Sequence, residues 1–297
     1  MSILNRPSDG LFNVLITLVR CLVTYGPMPA EKLINLCAPP SVCDQARANQ
    51  TMTRWIELGF LAKGDANEIA LADEYSGSLT KKSHSNQAIA GVLREVVFSE
   101  SNNKRFWDEE KNRSADFTRA VSWMLAQDVY GFQPTSHETV QEVEFSQLGK
   151  KVAAFTTDVR WPGFKSWASF LGFGSSGRHP SGLFVVDPTT AIRDVLTTVF
   201  SDKKELPLTT FISGLAEALP VLDGGTYRMK VEKKIDRKRW DAPGKNEVSS
   251  SLSRGLLRLH EWESIRLEDR ADAEKMSLLG CKAIVRTASH VVLGKGN

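Results

Sequence analysis

The sequence predicts a mainly α protein with small β-hairpins, an α+β fold built from tandem winged helix-turn-helix modules. Two distant segments carry this pattern, because each ends an amphipathic helix at Leu-Gly-Phe and continues through a polar turn into an apolar strand. The first segment runs from Trp55 to Asp73, and the second runs from Trp167 to Asp187. A third segment, from Val248 to Leu293, has a helix and two candidate strands but lacks the glycine exit. The repeated pattern predicts three related modules.

Composition places the chain among ordinary globular proteins. Its 297 residues are 41% hydrophobic and 25% charged, which suits two or three small domains. The longest apolar run, Leu11 to Val23, is interrupted by polar residues and is too short to span a bilayer, so we expect a cytoplasmic protein without membrane contact. The four cysteines form no CxxC pair and the five histidines have no zinc-ligand spacing. Neither a metal site, a disulfide framework nor a bound cofactor is predicted.

Breaks in the pattern set the expected domain boundaries. We expect a first winged-helix module at 1–76, a linker with a helix at 77–112, and winged-helix-like modules at 113–203 and 204–297. Proline and glycine interrupt the first module and separate its helices. Its three helices are expected at Leu11–Tyr25, Ala30–Cys37 and Val42–Leu58.

The later modules follow the same plan. In the middle module, we expect helices from Ser114, at Val143–Phe155, at Trp161–Leu171 and at Thr190–Phe200, with a candidate wing tip at Gly172–Gly182. In the C-terminal module, we expect helices at Leu208–Leu219 and Val248–Trp262, with wing strands at Ile265–Glu268 and Ser289–Leu293. The linker is expected to form a helix at Asn86–Phe98.

The third helix of the first module carries a candidate DNA-reading face. Its spacing predicts a buried face of Met52, Trp55 and Ile56 and an outward face of Arg47, Gln50, Thr51 and Arg54. Arginine can pair with guanine edges or phosphates, and glutamine can pair with adenine, so the outward set suits one groove-inserted helix. A solvated face or a protein-docking surface has a similar composition, and both alternatives stay open.

A basic segment, Arg228 to Arg239, carries most of the local positive charge. It holds seven basic and two acidic residues, a net charge of +5 in a chain whose total is only +3. Such a segment is typical of phosphate binding without sequence preference. The last long helix adds a second predicted outward face. The predicted DNA-contacting residues are Arg47, Gln50, Thr51, Arg54, Lys63, Lys230, Lys233, Lys234, Arg237, Lys238, Arg239, Arg254 and Arg258.

One enzymatic alternative remains open. Asp223, Glu232 and Lys234, placed across a predicted hairpin, match the Asp, Glu-x-Lys order of metal-dependent nucleases. The motif is short, and a chance match explains it better in so charged a region. The sequence has no Walker A loop, GxGxxG, GxSxG or HExxH motif. No catalytic residue is therefore predicted.

Several segments resemble one bacterial family. They are Met1 to Leu15, Trp55 to Phe60, Asp187-Pro188-Thr189 and Leu219 to Gly225, and together they look like the DpdG-type proteins. Such proteins are encoded in clusters that insert 7-deazaguanine derivatives into DNA and restrict DNA lacking the mark. The resemblance implies a restriction system for antiviral defence, with other subunits as partners, and it assigns no residue a role.

Combining the pattern with the resemblance gives one main hypothesis. The protein is expected to be a non-catalytic component of that system that contacts double-stranded DNA through its winged-helix surfaces and basic segment. The alternatives are a protein-protein scaffold of the same complex and the metal-dependent nuclease described above.

Overall fold

Helices separated by short paired strands make up the protein. The structure is a computed structural model, and it describes residues 3–4, 12–81, 83–108, 113–176, 182–281 and 283–294. Within this part of the chain, helices dominate and the strands form small sheets, so the predicted α+β class is confirmed. Part of the predicted wing tip, at 177–181, lies outside the described residues.

The helices cover most of the predicted positions. In chain order they are α1 (Phe12–Tyr25), α2 (Ala30–Cys37), α3 (Ala46–Glu57), α4 (Asp73–Ser76), α5 (Asn86–Phe98), α6 (Glu100–Asn103), α7 (Ala115–Ala126), α8 (His137–Leu148), α9 (Arg160–Phe170), α10 (Thr189–Phe200), α11 (Leu208–Ala218), α12 (Thr226–Glu232) and α13 (Ser250–Glu261). None of these described helices has both the length and the apolar character that crossing a bilayer requires.

The strands are short. In chain order they are β1 (Met28–Pro29), β2 (Leu61–Lys63), β3 (Glu68–Leu71), β4 (Gly174–Ser176), β5 (Phe184–Val186), β6 (Glu205–Pro207), β7 (Glu247–Val248), β8 (Ile265–Glu268), β9 (Met276–Leu279), β10 (Ile284–Ala288) and β11 (His290–Leu293). The described sheets have the orders β1-β3-β2, β4-β5, β6-β11-β8 and β10-β9-β7. Neighbours are antiparallel except β7 and β9.

The chain divides into two compact units, and the first consists of Met1–Phe117 with Val159–Leu171. Its core contains Trp55, whose ring lies 5.7 Å from Phe60 and 5.4 Å from Trp167 between centroids. Burial of such large aromatic side chains supplies much of the hydrophobic stabilisation. The predicted burial of Trp55 is therefore confirmed, and Trp167 is almost fully buried beside it.

The second unit consists of Thr118–Asp158 with Gly172–Asn297. In it, α10 packs against α11, and the Phe200 and Phe211 rings lie 5.3 Å apart. The two strands predicted near the C-terminal end are confirmed as strands, because β8 and β11 pair from Ile265 with Leu293 to Glu268 with His290.

The element order around the first sheet recurs around the third. Residues 12–71 run helix, strand, helix, helix, strand, strand, and the first strand pairs with the third strand, which also pairs with the second. Residues 189–293 contain the same order, as α10, β6, α11, α13, β8 and β11, with α12, β7, β9 and β10 inserted. Both short strands lead into a helix through a proline, Pro29 or Pro207, with nearly equal backbone angles. The C-terminal region therefore repeats the N-terminal connectivity.

The helix ends that prompted the comparison also share a geometry. Gly59 and Gly172 both have left-handed φ angles, +81° and +84°. Glycine adopts this region without the steric cost that a Cβ brings, which explains the glycine shared by the two Leu-Gly-Phe sequences. After α13 the same position is Glu263, at φ +56°. The third repeat therefore keeps the left-handed turn although its residue at this position is not glycine.

Two predicted elements were wrong in position or type. The helix expected at Val143–Phe155 begins earlier, at His137, because Ser136 caps it by accepting a hydrogen bond from the Thr139 amide, and it ends at Leu148. The hairpin expected between Asp223 and Lys234 is a helix, α12. The helix at Asn86–Phe98 is confirmed, with Ser85 capping its first turn.

Candidate nucleic-acid interface

The predicted outward face of α3 is only half exposed. Arg47 and Gln50 are exposed, whereas Thr51 is fully buried and Arg54 keeps only 5% of its surface. The prediction that Thr51 and Arg54 face outward was therefore wrong. The core-facing side of α3 is wider than the apolar residues alone indicate, and it comprises Ala48, Thr51, Met52, Arg54 and Trp55.

The hairpin beside α3 is not cationic. Lys63 is exposed at the end of β2, but the tip that follows carries the exposed acids Asp65 and Glu68. The Gly64 amide donates a hydrogen bond to the Glu68 carbonyl and closes the tip. Lys63, a predicted DNA contact, is thus followed within five residues by two carboxylates. Their negative charge reduces its attraction for phosphate.

The basic segment presents most of its cations to solvent. It forms α12 and the turn after it, and its exposed members are Lys230, Lys233, Lys234, Arg237, Lys238 and Arg239. The guanidinium of Arg237 lies 4.9 Å from the Trp240 ring centroid, and the Lys230 ammonium lies 5.3 Å from that of Tyr227. These aromatic faces support the cations without neutralising them.

Arg228 is the buried exception in the basic segment. Its Nε donates to Glu232 Oε1 at 2.6 Å, and its Nη1 lies 3.6 Å from Asp223 Oδ1. Asp223 also accepts hydrogen bonds from the Ser249 amide at 2.8 Å and the Ser249 hydroxyl at 2.6 Å. Both carboxylates of the nuclease alternative thus contact one buried guanidinium.

This arrangement weighs against a metal site at Asp223 and Glu232. A divalent cation requires carboxylate oxygens that a neighbouring arginine does not already engage. Lys234 is exposed on the turn after α12. In the part of the chain that the structure describes, no cluster of three or more histidine, cysteine or carboxylate side chains is placed to hold a metal.

Hydrogen bonds fix the C-terminal end of the basic segment to α7 and α8. The Asp236 amide donates to the Gln147 carbonyl at 2.9 Å, and Gln147 Nε2 donates to the Arg239 carbonyl at 3.0 Å. Trp240 Nε1 donates to the Ala126 carbonyl at 2.8 Å. The exposed cations therefore stand on a backbone that is held at both Asp236 and Trp240.

The predicted outward face of α13 is largely occupied by internal contacts. Arg254 donates to the carbonyls of Val186 and Val129, and Arg258 pairs with Asp187. This face was predicted to include one of Ser250 and Ser251, and both are buried, so that part of the prediction was wrong. The chain around Val129 and Asp187 covers the helix face.

These contacts have no local signature in the sequence, because their partners lie far along the chain. Arg254 is 68 residues from Val186 and 125 residues from Val129. Ser249 is the N-cap of α13 and accepts a hydrogen bond from the Leu252 amide. This role has a local signal, because serine just before an amphipathic run is typical of a helix start.

The fold and this surface together define an α+β protein with repeated helix-and-sheet connectivity and one exposed cationic segment. A model of the DpdG-like family matches residues 1–273, and the chain belongs to that family. Membership connects the protein with the Dpd 7-deazaguanine system. No curated protein and no solved structure matches the chain.

Proposed function

We propose that the protein is a non-catalytic component of the Dpd system that binds duplex DNA through its basic segment. The observation that carries the proposal is the exposure of six cations on α12 and the following turn, with the backbone fixed at Asp236 and Trp240. The only acids in the segment are Glu232, which faces buried Arg228, and Asp236. Phosphates are the ligands that such a surface attracts.

The repeated connectivity supports winged-helix modules at both ends of the chain. Three helices with a first-third-second strand order describe that fold, and α3 and α13 would be its recognition helices. We assign α10 to the C-terminal module because it packs against α11 and α13. The middle module, expected at 113–203, rests on the helix end at Gly172 and the β4-β5 hairpin.

In this proposal, the exposed part of α3 contacts the DNA groove. Arg47 and Gln50 are available to bases or phosphates, whereas Arg254 and Arg258 on α13 are engaged within the protein. Two side chains on one helix provide little base discrimination. We therefore expect affinity to come from phosphates, with weak sequence preference.

Salt dependence of binding tests the proposal. Six cations that each neutralise one phosphate give a slope of log affinity against log salt of about −5 or steeper. Fluorescence anisotropy with a labelled duplex, between about 50 and 200 mM salt, measures that slope. Lys233→Gln with Lys238→Gln should make the slope shallower by about 2. Lys203→Gln with Lys204→Gln, an equal charge change at exposed positions outside the segment, is the matched control.

A slope near zero, or equal effects of both double variants, would contradict the proposal. The same duplexes, with and without 7-deazaguanine and with and without Mg²⁺, should be bound and left uncut. Mg²⁺-dependent cutting that Asp223→Ala and Glu232→Ala abolish would establish the nuclease alternative and refute a non-catalytic role.

A protein-docking function has its own support in the first unit. Four large apolar side chains among its described residues are exposed, Tyr25 at 72%, Leu36 at 51%, Val42 at 81% and Val159 at 45%. A contiguous apolar patch is typical of a protein interface, and this alternative requires Leu36 and Val42 to belong to one. Val42→Ser with Leu36→Ser should weaken assembly with another Dpd component and leave DNA affinity unchanged. Unchanged assembly in a co-purification experiment would exclude this surface as the docking site.

A further inference from the structure

We propose that Lys150 and Lys151 are two additional phosphate-binding residues, which extend the basic segment into a composite surface. The inference rests on the proposed DNA binding and adds ligand contacts from a different part of the chain. Both lysines lie in the connector after α8 and both are exposed. Nothing in the sequence associates them with the basic segment, because about 80 positions separate the two.

The fold brings the two segments together at Gln147. The carbonyl of Gln147 accepts from the Asp236 amide at 2.9 Å, and its side chain donates to the Arg239 carbonyl at 3.0 Å. Lys150 and Lys151 follow Gln147 by only three and four residues. Since a residue spans at most about 3.6 Å, both Cα atoms lie within about 15 Å of Gln147.

The local backbone keeps the lysines at this position. The α8 helix ends at Leu148, and Gly149 follows with φ +76° while its amide donates to the Phe145 carbonyl at 2.9 Å. Lys150 Nζ lies 5.7 Å from the Phe145 ring centroid. The connector thus leaves the helix through a defined turn, and one lysine packs back over the last helical turn.

Charge accounts for the ligand class. The composite surface comprises Lys150, Lys151, Lys230, Lys233, Lys234, Arg237, Lys238 and Arg239. Within the basic segment Asp236 is an exposed acid, and its Oδ2 lies 3.8 Å from Arg239 Nε. Duplex DNA presents about one phosphate per 1.7 Å of axis, so a broad surface of this kind contacts more phosphates than one short helix can.

The test compares salt slopes of matched variants of the full chain. With eight contacts, the wild-type slope should be about −7, and Lys150→Gln with Lys151→Gln should bring it to about −5. Lys151→Gln alone, which disturbs no aromatic contact, should change the slope by about 1. Lys203→Gln with Lys204→Gln should leave the wild-type slope unchanged. Circular dichroism should show the same fold for every variant.

The outcomes separate this inference from the proposed function. If Lys233→Gln with Lys238→Gln reduces the slope but the Lys150 and Lys151 variants do not, the composite surface is refuted and DNA binding stands. If neither double variant changes the slope, both proposals are refuted. A reduction by both double variants, with the control unchanged, establishes the composite surface.

Discussion

Gln147 connects the basic segment with the core of the second unit, and its replacement by methionine tests that connection. Its Oε1 accepts from Trp123 Nε1 at 2.7 Å, and its Nε2 donates to Gln127 Oε1 at 3.0 Å and to the Arg239 carbonyl at 3.0 Å. Trp123 and Gln127 are buried, at 0% and 5% exposure. Methionine fills a similar volume with a flexible unbranched chain, so the change removes hydrogen bonds with little change in packing.

The expected cost follows from the groups left without partners. The indole N–H of Trp123 loses its partner and the Gln127 Oε1 loses its donor, and each such buried group costs about 1 to 3 kcal/mol. The Arg239 carbonyl is closer to solvent, and water can replace its donor at small cost. We therefore expect Gln147→Met to lower the free energy of unfolding by about 3 kcal/mol.

Urea unfolding followed by circular dichroism and tryptophan fluorescence measures this loss. Gln133→Met, at an exposed position in the same unit, is the matched control and should change stability by less than about 0.5 kcal/mol. Gln147→Met should also weaken DNA binding without removing a charge, because it releases the turn at Arg239. A stability change below about 1 kcal/mol would refute the argument that Gln147 satisfies buried groups.

Three further predictions concern single side chains. Glu144 is buried and accepts hydrogen bonds from the Ala154 and Phe155 amides at 2.8 Å. Glu144→Gln should therefore lower the free energy of unfolding, measured in urea, by about 2 kcal/mol. An unchanged urea midpoint would contradict this role. The hydrogen bond from Arg270 lowers the pKa of Glu205, so this carboxylate stabilises the fold above about pH 4.3 and loses the effect as pH falls through its folded value. The Tm difference between wild type and Glu205→Gln should therefore vanish in acid, and a difference independent of pH would exclude the pair. Burial, with a smaller contribution from Cys21, raises the pKa of Cys37 to about 12. Cys37 should therefore be alkylated at least about 100-fold more slowly than exposed Cys281 at pH 8, as measured by mass spectrometry. Equal rates would contradict a buried environment for Cys37.

Much of the fold could be predicted because local signals determine it. Apolar periodicity and serine caps place α5 and α13 within two residues of the expected bounds, and the bounds of α9 differ from the expected ones by one residue. The glycine exits at Gly59 and Gly172 predict two helix ends from a backbone requirement that few other residues meet. The strand pair β8 and β11 follows from two apolar runs, although a long insertion separates them.

The candidate site was less predictable, since tertiary contacts decide which charges reach solvent. Arg228 counts toward the basic segment in the sequence, but the fold buries it between two carboxylates. Arg254 and Arg258 belong to the polar face of α13, and distant carbonyls and Asp187 engage them. Lys150 and Lys151 are connected with the segment only through Gln147, which bonds to it. None of these pairings has a local signature.

The left-handed residue after α13 is a position where the fold can be made more stable without changing any cation proposed to bind DNA. A glutamate in this conformation costs about 1 to 2 kcal/mol that the glycines after α3 and α9 do not pay. Glu263→Gly should therefore raise the melting temperature, and a lower value would show that the glutamate side chain offsets its backbone strain. This substitution would stabilise the third repeat for crystallisation or reconstitution and leave the proposed DNA-binding surface unchanged.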